Sequence, residues 1–298
     1  MPRGLVLIAS AIVVWSTTGI AVQREAGSFI LDASTRARFL RPGEVVLLTV
    51  KPSRQVVHVA GEGFGVAIEL WPAGESGEWQ GLVGVPLGTA PGAYDIVLRA
   101  ADRTDTTATT TVSLNIQRGK FATRRITVNE RFVEPPASVA ARIAREAKTL
   151  EDLFAQSREE RLWRGPFSMP VAGRSTSSYG RLTVLNGKPG SRHRGADFRA
   201  ALGTPVRAPN SGMVVLASDL YFAGGTVVLD HGNGLVSLFA HLSQIAVEVG
   251  TRVAKGDPLG EAGATGRVTG PHLHWAMRLH GTSVDPLSLS VAVAELQD

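Results

Sequence analysis

Two histidines one residue apart, in Gly270-Pro271-His272-Leu273-His274-Trp275, have the types and spacing that best suit metal chemistry in this 298-residue chain. Read as a strand, successive side chains point to opposite faces. Leu273, Trp275, Met277 and Leu279 then make one apolar side, and His272, His274, Ala276 and Arg278 make the other. A lone His-x-His fits more simply one solvated and one core histidine, because so short a motif recurs by chance. Further donors therefore have to come from elsewhere. In an extended His193-Arg194-Gly195-Ala196-Asp197, positions 193, 195 and 197 share a side, so an imidazole and a carboxylate could wrap one cation. Alone, this His-x3-Asp reads more safely as a surface ion pair of Asp197 with Arg192 or Arg194. A catalytic zinc keeps three protein ligands plus water, and imidazole and carboxylate are both ordinary donors. Two ligands from 193–197 and one from His-x-His would complete that set. Phe239-Ala240-His241-Leu242-Ser243 adds an imidazole at the end of an apolar strand, where capping the strand is the plain alternative. Four of the seven histidines thus fall at three motifs in one Gly-rich region.

The elements around these motifs read as mainly β structure. Low aromatic content with abundant Gly, Val and Thr favours short strands and tight turns. Residues 166–298 form the metal-site domain, an antiparallel β region with strands predicted at 211–217, 226–230 and 235–240. Asn233-Gly234 between the last two is a strong hairpin signal, which makes His231 a turn residue, and His280 before Gly281 reads likewise. Residues 135–165 form a helical connector: Val139, Ile143, Ala147, Leu150 and Phe154 recur at helical spacing, and Gly165-Pro166 is expected to stop the helix. Its apolar stripe could pack on either neighbour. Residues 23–134 carry strands at 45–50, 66–70, 94–98 and 111–116 with Pro-Gly turns at Pro42-Gly43 and Pro91-Gly92, a pattern of an immunoglobulin-like β-sandwich. His58 has no partner there and no role, and spacing, autoinhibition or contact with a partner is the job expected of that domain.

Met1-Pro2-Arg3 precedes an uncharged run over residues 4–23 with an apolar heart at 5–15. This reads as an export signal over residues 1–22 that is also nearly long enough to stay as a membrane anchor. The expected location is the periplasm or cell envelope. The chain has no cysteine, which excludes disulfides and thiolate metal sites. Its net charge of +5 and pI near 10.0 suit an anionic partner, but no Lys/Arg run or nucleic-acid motif accompanies them, and no nucleic-acid partner is expected.

Taken together, His193-x3-Asp197, Phe239-Ala240-His241-Leu242-Ser243 and His272-x-His274 resemble the lysostaphin-type zinc metallopeptidases, which cut peptide cross-links in bacterial cell walls. Supporting phrases are Gly203-Thr204-Pro205-Val206, Asp230-His231-Gly232-Asn233-Gly234, Gly256-Asp257 and Thr265-Gly266. The segment 119–133 before Pro135-Pro136 also looks like the end of the immunoglobulin-like domain of some exported members. The resemblance implies one Zn2+ per chain held by His193, Asp197 and His274, with His272 and His241 as the catalytic pair. It also implies peptidoglycan stem peptides as substrate. No Glu-x-x-His occurs in the chain, so histidines must take the proton from water and return it to the leaving amine, which their intrinsic pKa allows. Some members place a tyrosine six residues before the first zinc histidine. Here that position is Gly187, and Tyr179 and Tyr221 are the candidates to replace it. Two other readings are weighed: a catalytically inactive wall-binding protein or activator of another wall hydrolase, which a gap-free ligand set disfavours, and a D-alanyl-D-alanine carboxypeptidase, which the missing Glu-x-x-His disfavours.

Overall fold

Alternating apolar residues and Gly-rich turns fold most of this chain into short antiparallel strands, seen in a computed structural model that describes residues 29–294 and 296. The predicted export segment 1–22 lies outside the described residues. Eight strands build the amino-terminal region: β1 (Leu31–Ala37), β2 (Val45–Pro52), β3 (His58–Gly63), β4 (Val66–Glu69), β5 (Trp71–Ala73), β6 (Glu78–Gly84), β7 (Gly92–Ala101) and β8 (Thr107–Ile116). They form two four-stranded sheets, ordered β1-β2-β6-β5 and β4-β3-β7-β8. In β1 and β8 every second residue faces inward. Val46, Leu48, Val83, Ile68, Ile96, Leu98, Val112 and Leu114 close a single core between the sheets.

Strand β9 (Thr123–Ile126) leaves that sandwich and pairs in parallel with β11 (Leu182–Leu185) of the second region. The last sandwich strand ends at Ile116, ahead of the boundary expected at residue 134, and 123–126 hydrogen-bond to the other side of the molecule. Helix α1 (Ala140–Ala155) ends at Gln156, well before Gly165-Pro166. Leu150 and Phe154 lie against Val228, Val236, Leu238, Ala240 and Ala276 of the second region. The apolar stripe therefore packs on the carboxy-terminal neighbour, since a sheet face with small and branched apolar residues is the surface offered to it.

The second region contains β10 (Ser175–Ser177), β11, β12 (Lys188–Arg192), β13 (Ala196–Phe198), β14 (Pro205–Arg207), β15 (Gly212–Leu220), β16 (Gly224–Gly232), β17 (Leu235–Ile245), β18 (Arg252–Val253), β19 (Pro258–Ala262), β20 (Leu273–Leu279), β21 (Thr282–Val284) and α2 (Pro286–Ala294). The main path of its large sheet runs β10-β13-β20-β17-β16-β15-β18, with the β14/β19 pair branching from β17 and β21 from β20. One face buries Phe198, Leu229, Phe239, Leu273, Trp275 and Met277. His231, expected in the turn, lies within β16 instead, one residue before its end, and is buried between the Ser211 carbonyl (Nδ1, 2.7 Å) and Ser237 Oγ (Nε2, 2.7 Å). The turn itself is carried by Asn233 and Gly234, both at positive φ.

Candidate metal centre and active site

Strand register brings the first donors together. In the β13/β20 pair Asp197 lies opposite His274, and Ala240 of β17 lies on the other side of His274. Directly opposed residues of neighbouring strands hold their Cβ atoms about 5 Å apart, so carboxylate and imidazole meet without long reach. His193 arrives from the turn between β12 and β13, fixed by backbone hydrogen bonds in which its amide donates to Arg181 and its carbonyl accepts from Gly180. Gly195 makes this turn fit. A Cβ there would lie 2.6 Å from the Trp275 carbonyl oxygen and 2.7 Å from the His274 ring, closer than real atoms approach.

His193 Nε2, Asp197 Oδ1 and His274 Nδ1 converge as a triangle with edges of 3.0, 2.9 and 3.0 Å. Metal–ligand bonds of about 2.0–2.2 Å in a tetrahedral site imply edges only a few tenths of an ångström longer. A small divalent ion held by two imidazoles and one carboxylate fits these three atoms, which form a group able to hold a metal ion among the described residues. The His193 Nδ1 hydrogen bond with the Ser178 carbonyl (3.3 Å) turns Nε2 towards the ion position, the kind of outer support that orients ligating histidines. Arg181 stands 3.8 Å from the other carboxylate oxygen. Burial would raise the Asp197 pKa, but the hydrogen bonds with His193 and His274 outweigh it and hold the carboxyl well below the usual range. Burial lowers that of His274, with Asp197 opposing.

His241 reaches the site by a backbone irregularity. Strict alternation along β17 would place it on the core side with Phe239, opposite Leu238 and Ala240. The register shifts between Gly225↔Leu242 and Val227↔Phe239, so Ala240 and His241 both stand opposite Thr226, and His241 takes φ 66°. This bulge re-aims the side chain, as bulges beside functional sites do. His241 now lines the same cavity as Leu238 and Ala240. Its Nδ1–H points to the Thr265 carbonyl (2.9 Å) and that of His272 to the Gly270 carbonyl (2.8 Å), so each ring turns Nε2 towards the cavity. The two rings lie 4.9 Å apart, and His241 lies 5.9 Å from His274. Burial, then the imidazoles of His274 and His272, depress His241 to about 3. It is therefore a neutral proton acceptor at ordinary pH.

The cavity above these groups holds about 430 Å³. The tyrosines expected to replace the absent one at Gly187 do not face it: the Tyr179 hydroxyl donates to the Ser283 carbonyl (2.6 Å) and that of Tyr221 to the Arg131 carbonyl (2.7 Å). His231 is far from this role, satisfied in the core and depressed by burial to about 4. His58 pairs with Glu69 on the sandwich, 3.2 Å away. Sequence reasoning missed the carbonyls of Ser178, Thr265 and Gly270 that set the rings, and Arg181, Arg267 and Arg278 in the cavity. Of these only Arg278 was signalled, by sharing the His272/His274 face.

Residues 191–286, which contain all five site residues, match the family model described as peptidase family M23. The chain carries an M23 peptidase domain. It is 40% identical over 102 residues to the peptidoglycan DD-endopeptidase ShyA of Vibrio cholerae and 40% identical over 104 residues to the DD-carboxypeptidase/endopeptidase Mpg of Neisseria meningitidis. These stretches are 34% and 35% of this chain, and 24% of each relative's length. A crystal structure from Pseudomonas aeruginosa assigned to peptidase M23 superposes with TM-score 0.66 at 29% identity, covering 86% of this chain and 96% of that one. The M23 domain is the mainly β, lysostaphin-type fold expected from the three motifs.

Proposed function

We propose that this chain is a zinc metalloendopeptidase that hydrolyses D,D peptide cross-links of bacterial peptidoglycan. The observation that carries this reading is the convergence of His193, Asp197 and His274 beside two further imidazoles, in a domain whose relatives are named for peptidoglycan endopeptidase activity. His193 Nε2, Asp197 Oδ1 and His274 Nδ1 hold the ion. Bound there, zinc supplies a Lewis acid and brings the pKa of a water it holds to about 7. His241, neutral and aimed by the Thr265 carbonyl, accepts the attacking water's proton at Nε2 and returns it to the leaving amine. The carbonyl also stabilises the imidazolium formed in between, so proton transfer does not require the ring to reorient. His272 Nε2, 3.8 Å from Asp197 Oδ1, stands nearer the ion position; with its Nδ1–H taken by the Gly270 carbonyl, the ring donates to the oxyanion that develops on the scissile carbonyl as an imidazolium, with a second proton on Nε2. With neither tyrosine available, this imidazole and the ion are the groups that bear that charge.

The wall-binding, non-enzymatic reading loses ground because every ligand and both imidazoles are in place. The carboxypeptidase reading keeps one support, the double name of the Neisseria relative. Export to the envelope, where the substrate lies, is part of the proposal and rests on the run over residues 4–23; among the described residues no helix is long and apolar enough to cross a membrane. Digesting purified peptidoglycan with the full chain and identifying fragments by mass tests the whole reading. Separated cross-linked strands support it, release of terminal alanine alone favours the carboxypeptidase, and an unchanged polymer refutes both.

A further inference from the structure

The cavity over the metal centre is lined by Arg124, Arg181, Arg192, Arg194, Arg267 and Arg278, and Asp197 is the one carboxylate on its wall. That carboxylate already serves His193 and His274, so the guanidinium groups outnumber what the protein itself can neutralise. Arg278 is the most informative. It follows Ala276 on the cavity face of β20, half-buried, with its guanidinium 4.5 Å from the centroid of the Phe154 ring of α1. Among the described residues it has no carboxylate within ion-pair distance, and its polar contact is a 3.3 Å hydrogen bond to the Met277 carbonyl. Burial lowers its basicity to about 10, with Arg194 adding to the effect. A partly desolvated cation without a counter-charge costs free energy, and a carboxylate gripped by the planar fork of a guanidinium offsets that cost.

We propose that Arg278, with Arg194 beside it, is a carboxylate-binding subsite, so that the preferred substrate carries a free carboxylate a few residues along the chain from the bond that is cut. This deepens the peptidoglycan-peptidase reading and rests on it. The spacing is set by β20: four residues separate His274 from Arg278, about 13 Å at 3.3 Å per residue, and an extended peptide lying over the same face advances at the same rate. Allowing for the length of the arginine side chain, a carboxylate about two to four residues from the scissile bond comes within reach. Between the two positions the cavity is lined by Ala240, Ala276 and Leu238 together with Leu150 and Phe154 of α1, which pack against them, so the way to Arg278 is apolar. A terminal carboxylate and a side-chain carboxylate of the stem peptide both satisfy this chemistry.

Three synthetic cross-linked stem peptides separate these sources: one with all carboxylates free, one amidated at the chain terminus, and one amidated on the side chain. Each is made with the scissile amide N-methylated, for calorimetric binding to the zinc-loaded full chain, and unmethylated, for cleavage. Amidation at one of the two positions is expected to weaken binding at least about tenfold in the wild type and to have no effect in Arg278→Gln, with Arg278→Lys between them. Zinc content of each variant checks that the domain is folded. Equal binding of all three peptides by the wild type overturns the subsite, as does an Arg278→Gln chain that still discriminates or that loses affinity for all three alike. Cleavage without discrimination sinks the subsite and leaves the peptidase standing. Carboxylate-dependent binding without cleavage does the reverse.

Discussion

At the scale of single residues the proposed function divides the site into atoms that hold the ion and atoms that move protons, and the division is testable by substitution. His193→Ala or Asp197→Ala removes one of three ligands and is expected to leave the purified chain without stoichiometric zinc. His241→Ala and His272→Ala are expected to keep the metal and lose turnover by about 100-fold or more, the usual worth of positioned acid–base catalysis; metal analysis beside a cleavage assay separates the two classes. His231 gives a contrasting prediction because it is buried and neutral. Its folded pKa, about 4, lies below the unfolded value of about 6.5. The unfolded chain therefore binds the extra proton first, and the associated stability is complete above pH 6.5 and lost as pH falls towards 4. At pH 5 that loss amounts to about 2 kcal/mol, so denaturant melts at pH 7 and 5 should converge in part for His231→Gln. A variant that keeps the full wild-type pH slope would show that another group titrates.

At the scale of elements, the alternation along β20 was legible because period 2 and burial agree: Leu273, Trp275, Met277 and Leu279 all face the core. The hairpin at Asn233-Gly234 was legible because its dihedrals demand those residues. What stayed hidden depended on registers that no local pattern encodes. The β17 bulge reverses the side that period 2 assigns to His241, and nothing in Phe239-Ala240-His241 announces an extra residue. Likewise β9 pairs with a strand more than fifty residues away, a choice set by tertiary contact. The turn that delivers His193 depends on Gly195, whose missing side chain lets β20 pass close by. Gly195→Ala is expected to lower zinc affinity at least about tenfold while the fold persists, because the new methyl group must displace the His274 ring or the Trp275 carbonyl. An equilibrium competition with a chelator measures this, and unchanged affinity would mean the turn has slack.

At the scale of the whole molecule, the sandwich and the M23 domain share a core. Strand β2 is buried on both faces, as its unbroken Val45-Val46-Leu47-Leu48 run suits: Val46 and Leu48 face the sandwich interior, while Val45 and Leu47 join Val284, Leu289 and Val293. The Val45 amide donates to Ser288 Oγ at 2.9 Å, and Arg38 bridges Glu44 to Asp285. The two regions are therefore expected to melt in one calorimetric transition. Leu47→Ala, which opens a cavity at the junction, should cost about 2–5 kcal/mol and lower that single transition; two separate transitions would show the junction to be weak. The claim on which everything else stands is that the ion held by His193, Asp197 and His274 is required for peptide-bond hydrolysis. Zinc content and peptidoglycan cleavage measured on the same preparation, before chelation, after it and after zinc is restored, test that claim most directly. About one zinc per chain, with cleavage lost and regained in step with the metal, is the predicted result, and undiminished cleavage by metal-free protein would contradict it.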